Sequence, residues 1–405
     1  MHRITHEGES PEDSSTSLNR CDHPGDKKRI AEMVLNWDTL NEVMTMVALL
    51  DWRSWDLSRM TRTCRTLHEM GVPLLLSFDI RIGSFRSVAS FAIFIRKHCK
   101  HAHLVRHLTI EQCFFYEEDG SSANESLKRL ARRFSRTLKT CSQLEELRIL
   151  SAEEVFQHRS IATAMASLRN LRKIDFSFVG PHAIQAIRNM RSPITSATLF
   201  FEDDERQFGE ESIHRDPVYL FQGFADSLVK ISLGLAGSVA SDDFTVRYPN
   251  VRSIALEASF FDADPDAFAS CFPNLRELEW ANDMTNLNEA AEIREFNLAV
   301  RNPVIHSLVG WKTLSRLHLN IERLYSMALS CDVGYWTGAR LSGDDVQLAY
   351  FKTILADIRL SHLHLSVFAK TILQEEQIFP VSSITHLEMD VPLADTNTDI
   401  RQVLV

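Results

Sequence analysis

The sequence predicts an α/β solenoid: parallel strands stacked in one direction with helices on their outer side, preceded by a small helical module. Three observations carry that prediction. A six-residue pattern, apolar-x-x-apolar-x-apolar, recurs ten times between Val105 and Met389. Helical spacings fill several of the intervals, as in "LKRLARRFSRTLK" and "SIATAMASLRN". Residues 30–77 instead carry apolar residues three and four apart, the mark of amphipathic helices.

The chain has 405 residues, 44% hydrophobic and 24% charged, as in a soluble globular protein. Residues 1–29 hold little that could be buried and are expected to form a disordered tail. They also lack the apolar stretch of a signal peptide. No window reaches 18 uninterrupted apolar residues, so no spanning helix is expected. The net charge of −10 argues against a nucleic-acid binder, which carries a basic footprint. Seven cysteines, Cys21, Cys64, Cys99, Cys113, Cys141, Cys271 and Cys331, include no Cys-x-x-Cys pair. That pattern suits a reducing compartment, so the expected location is intracellular, cytoplasmic or nuclear.

In the module of residues 30–77, Leu40, Val43, Met44, Val47 and Leu50 define one helical face, with Asp38 placed to cap it. Leu57, Met60, Cys64 and Leu67 define a second stripe, which Gly71-Val72-Pro73 is expected to end. So few residues bury little by themselves, and such a module leans on a partner or on the rest of its chain.

From residue 78 the hexads take over: "VRHLTI" at 105–110, "LEELRI" at 144–149, "LRKIDF" at 171–176, "ITSATL" at 194–199 and "LVKISL" at 228–233. They continue as "VRSIAL" at 251–256, "LRELEW" at 275–280, "LSRLHL" at 314–319, "LSHLHL" at 360–365 and "ITHLEM" at 384–389. Their starts are 39, 27, 23, 34, 23, 24, 39, 46 and 24 residues apart. Five of these nine intervals fall within the roughly 20–29 residues of leucine-rich repeats, and the others read as repeats with insertions. The Asn that commonly turns the chain after the strand of such repeats is missing. Because side chains alternate along a strand, the second and third apolar residues of each hexad should enter the core and the first should tuck in at the bend. No repeat closes its own core, so neighbours must stack, and the intervening residues should line the concave side where partners bind.

The stretches "TLNEVMTMV" (39–47) and "DLSRMTRTCRTLHEMGVPLLL" (56–76) resemble an F-box, in the form found in large fungal families ahead of irregular leucine-rich repeats. The resemblance implies a substrate-recognition adaptor of a Skp–cullin–F-box ubiquitin ligase. The helices would dock on the Skp adaptor subunit, and through it a cullin, while the repeats hold a protein target. By the same resemblance Leu40, Val43, Met44, Val47, Leu57, Met60, Cys64 and Leu67 divide between internal packing and the adaptor-facing surface. Two alternatives stay open: the helices only cap the array, as repeat arrays require, or the chain is a free-standing leucine-rich-repeat scaffold or inhibitor without a ligase link.

No phosphate loop, Gly-x-Gly-x-x-Gly, Gly-x-Ser-x-Gly or His-Glu-x-x-His motif occurs, so a non-catalytic adaptor without cofactor or metal is expected. "KHCKHAHLVRH" gathers His98, Cys99, His101, His103 and His107. These would spread over the end of a helix and the start of a strand, which suits solvated histidines better than a zinc site. On the last hexads the outward slots hold Arg316 and His318, His362 and His364, then His386 and Glu388. In register they form a ladder for target recognition, aimed at an acidic or metal-bearing surface. Adjacent protonated imidazoles repel, so binding there should change between pH 5 and 8. Tyr335 and Trp336, on what reads as a long insertion at 331–351, are either further candidate contacts or fold back over the solenoid. The basic helix at 126–139 fits an outer helix with a solvated charged face better than a membrane-bound one, and the acidic run at 201–217 reads as a surface insertion.

Overall fold

Period-two alternation needs a sheet with one covered face, and the computed structural model has one. It describes residues 37–50, 55–111, 123–201, 217–236, 246–258, 265–281, 287–300, 310–342, 344–367 and 384–390. The tail, most of the acidic run at 201–217 and the end of the chain lie outside these residues. Among the described residues twelve strands form a single all-parallel sheet in strict chain order: β1 Ile80–Ile82, β2 His107–Ile110, β3 Glu146–Ile149, β4 Lys173–Val179, β5 Ser196–Phe201, β6 Lys230–Ala236, β7 Ser253–Ala258, β8 Glu277–Trp280, β9 Thr313–His318, β10 Asp332–Leu341, β11 Arg359–Val367 and β12 His386–Asp390. Because every crossover advances the same way and right-handed crossovers are the rule, the connecting helices fall on one face. The other face stays open.

Among the described residues three helices precede the sheet: α1 Trp37–Leu50, α2 Trp55–Met60 and α3 Arg65–Ser77. Those between strands are α4 Phe85–Lys97, α5 Ala123–Thr140, α6 Ala152–Phe156, α7 Arg159–Ala166, α8 Pro181–Arg188, α9 Pro217–Leu220, α10 Pro265–Cys271, α11 Leu287–Val300, α12 Ile321–Met327 and α13 Asp345–Asp357. Short polar side chains start several of them. Ser84 and Ser87 form a reciprocal box at α4, Asn320 accepts from the Arg323 amide at α12, and Asp344 accepts from the Val346 amide at α13. Among the described residues, no helix is long and apolar enough to cross a membrane.

All ten hexads coincide with strands, β2 to β9 and then β11 and β12. In the first nine, all three apolar slots are buried, as with Leu144, Leu147 and Ile149, or Leu171, Ile174 and Phe176. Each fully buried side chain of this kind contributes about 1.5–3 kcal/mol of transfer free energy. From β2 to β9 one backbone motif repeats at every step: a carbonyl just before one strand accepts the two amides that open the next. The Arg106 carbonyl takes Glu145 and Glu146, that of Glu145 takes Arg172 and Lys173, and so on to Arg276 with Ser315 and Arg316. Asparagines ahead of the strands add a second tie. Asn170, Asn250 and Asn274 donate to the carbonyls of Ser142, Asp226 and Pro249 in the preceding repeat, at 2.9, 2.7 and 2.9 Å. The Asn missing after the strand thus has a counterpart before it.

Five features depart from the sequence reading, four as corrected expectations and one, β1, as a strand that the hexads do not announce. First, the segment at 331–351 is no insertion: it contributes β10 and α13, and the Trp336 side chain is fully buried, packing on Phe351 with its Nε1–H donating to the Leu319 carbonyl at 3.0 Å. The hexad is hidden there because Gly338 occupies the third slot at φ +89°, and the bulge moves Ala339 into register with Leu365. Second, β1 lacks the leading apolar residue because its first slot, Ser77, is the last residue of α3. Third, α3 does not stop at Gly71-Val72-Pro73 but runs through Pro73 to Ser77, since burial of Val72 and Leu76 offsets the lost hydrogen bond. Gly71 is required there, as a side chain would collide with Thr61 and Met44. Fourth, Asp38 lies within the first turn of α1 and does not precede it. Fifth, Leu387 and Met389 of the last hexad stay 41% and 46% exposed, and no further described strand follows β12.

Candidate functional site

The in-register stacking turns the outward slots into two continuous rows across the open face, and their chemistry falls into three zones. From β1 to β4 the rows are charged and internally neutralised. Lys173 reaches Glu146 at 2.7 Å, Arg148 reaches Asp175 at 3.2 Å, and Arg81 lies 2.8 Å from Asp79 and 3.8 Å from Glu111. His107 Nδ1 sits 3.4 Å from the same Glu146. Exposed pairs of this kind contribute about 0–1 kcal/mol each, so they shape the surface more than they stabilise it. From β5 to β7 the slots hold small side chains, Ser196, Thr198, Ser232, Ser253 and Ala255, beside the exposed Lys230. Another chain can approach the sheet closely there.

The third zone, β8 to β12, contains the predicted ladder. Register aligns Glu277, Arg316, Tyr335, His362 and His386 in one row. The second row holds Glu279, His318 and Thr337, then His364 beside Glu388. The Tyr335 ring is 6.4 Å from that of His362, which stacks on His386 at 4.3 Å and 8° from parallel. His364 Nε2 lies 2.9 Å from Asp390 Oδ2, and His318 Nδ1 is 3.4 Å from the Thr337 hydroxyl. The structure thus brings Arg316, His318, Tyr335, His362, His364, His386 and Glu388 onto one surface, while Trp336 points the other way into the core. Parallel stacked imidazoles direct their in-plane lone pairs side by side and not toward a common point, so the His362–His386 pair does not form a metal-binding pincer. Among the described residues, no group of three or more His, Cys, Asp or Glu side chains is arranged to hold a metal ion.

Where the charged zone meets the zone of small side chains, two exposed aromatics stand on the neighbouring strands β4 and β5. Phe200 lies opposite Gly234, and Phe178 sits in the irregularity between the Phe176–Leu199 and Val179–Phe201 pairs. Phe178 is 58% exposed at φ +52°, a backbone region that bulky residues occupy at a cost. Sequence reading missed it, because only the bulge places position 178 outward.

The histidine-rich stretch spreads as expected. His98 ends α4, Cys99, His101 and His103 lie in a 3-10 turn, and His107 opens β2. The His98 ring packs 4.6 Å from Phe94 and 5.2 Å from His68 of α3. Burial first, and the neighbouring His68 next, hold His98 below the ordinary imidazole range. Burial pushes the Cys141 and Cys331 thiols up to about 12, which leaves both protonated and unreactive near neutral pH.

The helical module divides its eight candidate residues. Met44 and Leu57 are fully buried and form its small core, against which Val47, Met60 and Leu67 pack. Leu40 is half-buried, and Val43 is 36% exposed. Met46, which the stripes left out, is 55% exposed. Cys64 is exposed at the N-cap of α3, so the stripe Leu57–Met60–Cys64–Leu67 spans two helices and the turn between them. Met44 and Leu57 therefore serve internal packing.

No protein-family model matches this chain. A search of the curated proteins returned no match either.

Proposed function

We propose that the chain is a substrate-recognition adaptor of a Skp–cullin–F-box ubiquitin ligase, non-catalytic and intracellular, whose sheet is a leucine-rich-repeat solenoid. The observation that carries this reading is the division of labour in the N-terminal module. Through Val72 and Leu76, α3 is built into the core of the sheet, while α1 keeps Val43 and Met46 exposed. A module fixed to the array at one side with apolar residues free at the other suits a docking role. The target would lie on the open face, its polar parts on Arg316, His318, Tyr335, His362, His364, His386 and Glu388, and its apolar parts on Phe178 and Phe200.

The second reading, a free-standing repeat scaffold or inhibitor, is favoured by the same α3: its burial over the first strand is what a terminal cap requires. Co-purification with the Skp adaptor separates the two. Wild-type protein should retain the adaptor, and Val43→Asp with Met46→Asp should lose it while melting normally, since both positions are exposed. Failure of the wild-type chain to bind the adaptor would leave the scaffold reading.

A further inference from the structure

Across β1 to β4 and the helices behind them, most cations of the two faces differ in how they are paired. On the open face Arg81, Arg148 and Lys173 each meet a carboxylate. On the helical side α5 presents Lys128, Arg132, Arg133, Arg136 and Lys139 to solvent, and none of them forms an ion pair among the described residues. Helix α5 packs against α7, and α7 against α8. The groove of about 850 Å³ between α7 and α8 carries on the same character, with Arg159, Arg169 and Arg191 joined by Thr163, Gln185 and Asn189, and among the described residues no carboxylate lines it. In a chain of net charge −10, this is a concentrated basic surface set against the overall sign.

We infer that this surface, on the side of the sheet opposite the candidate target face, is a second docking site for an acidic polypeptide segment. Guanidinium forks match carboxylates in pairs, and a groove of hydroxyl and amide donors suits the polar backbone of an extended chain. Two other anionic partners fit less well. A membrane needs outward apolar residues on the basic helix, and Leu127, Leu130, Phe134 and Leu138 of α5 are all spent in the core. A polynucleotide strand draws on free aromatic platforms, whereas in the groove Phe156 is buried and the His182 ring is tied to the Glu153 carboxylate at 2.6 Å. A long polyanion also meets the acidic remainder of the protein, whereas a short segment engages the local patch within a screening length of about 8 Å.

Fluorescence anisotropy on the full chain tests this, with a labelled peptide of six Glu alternating with six Ser as probe. The peptide should bind at low salt and weaken as salt rises. Arg132→Glu with Arg136→Glu, and separately Arg169→Glu with Arg191→Glu, should each weaken it by about tenfold, and the matching Gln pairs by about threefold. Arg340→Glu, at an exposed β10 position outside both proposed surfaces, should leave affinity within about twofold. Melting curves should coincide, because all the altered side chains are exposed. Equal affinity across these variants would overturn the inference. So would tighter capture of the chain by duplex DNA, or by phosphatidylserine-containing vesicles, than by the peptide.

Discussion

The imidazoles of His362 and His386 lie face to face, 4.3 Å between ring centres, although 23 residues separate them in the chain. Strand spacing alone sets that contact, since parallel neighbours stand about 4.8 Å apart and both rings rise from paired positions. His362 also meets Tyr335, so it is the centre of the row. His362→Ala should change unfolding free energy by less than about 0.5 kcal/mol, as surface substitutions do. Leu363→Ala, one residue on but facing inward, should cost about 2–5 kcal/mol. Urea unfolding of both variants checks the contrast, and a small loss for Leu363→Ala would contradict the assigned faces.

The buried carboxylate of Glu153, on α6, accepts the His182 and Ala183 amides at 3.1 and 3.0 Å and so caps α8 of the next repeat. It also meets His182 Nδ1 at 2.6 Å. Glu153→Ala leaves these donors without their acceptor and should destabilise the protein by about 1–3 kcal/mol. Glu153→Gln, which keeps one acceptor oxygen, should lose less; equal losses would argue against the cap.

At Phe178 the positive φ makes glycine the better small residue. Phe178→Gly should be more stable than Phe178→Ala by about 1 kcal/mol, the cost of placing a Cβ in the left-handed region. Both variants should weaken target binding if this aromatic is used. Equal stability of the two would mean that the backbone relaxes.

His98 supplies a pH signature. Its folded pKa lies below the unfolded value of about 6.5, so above that value both states are neutral and the contact is unpenalised. As the pH falls below it, the unfolded chain binds the proton first and stability declines toward the folded pKa. His101 is shifted the same way, by burial first and then Lys100. Denaturation at pH 7.5 and 5.5 should therefore show lower stability in acid, by a smaller margin in His98→Gln. An unchanged margin would remove His98 as a cause.

The strands were legible in the sequence because the hexad expresses a local rule: alternation puts Leu147 and Ile149 on one face of any extended chain, whatever its neighbours. The face bearing His362 and His386 was legible for the same reason. The helical stripes were read less well, because Pro73 and Cys64 fit local rules that packing overrode: Val72 and Leu76 carried α3 past the proline, and a turn placed Cys64 between helices.

What the sequence by itself determined is which side chains enter the core in β2 to β9 and β11, and that a helical segment precedes the stacked strands. Only the tertiary structure decided that β10 joins the sheet with Trp336 inward, that Phe178 turns outward, and that α5 and the α7–α8 groove share one basic surface. Those outcomes depend on register and contact between segments tens of residues apart, where a one-residue bulge such as that at Gly338 reverses what faces inward.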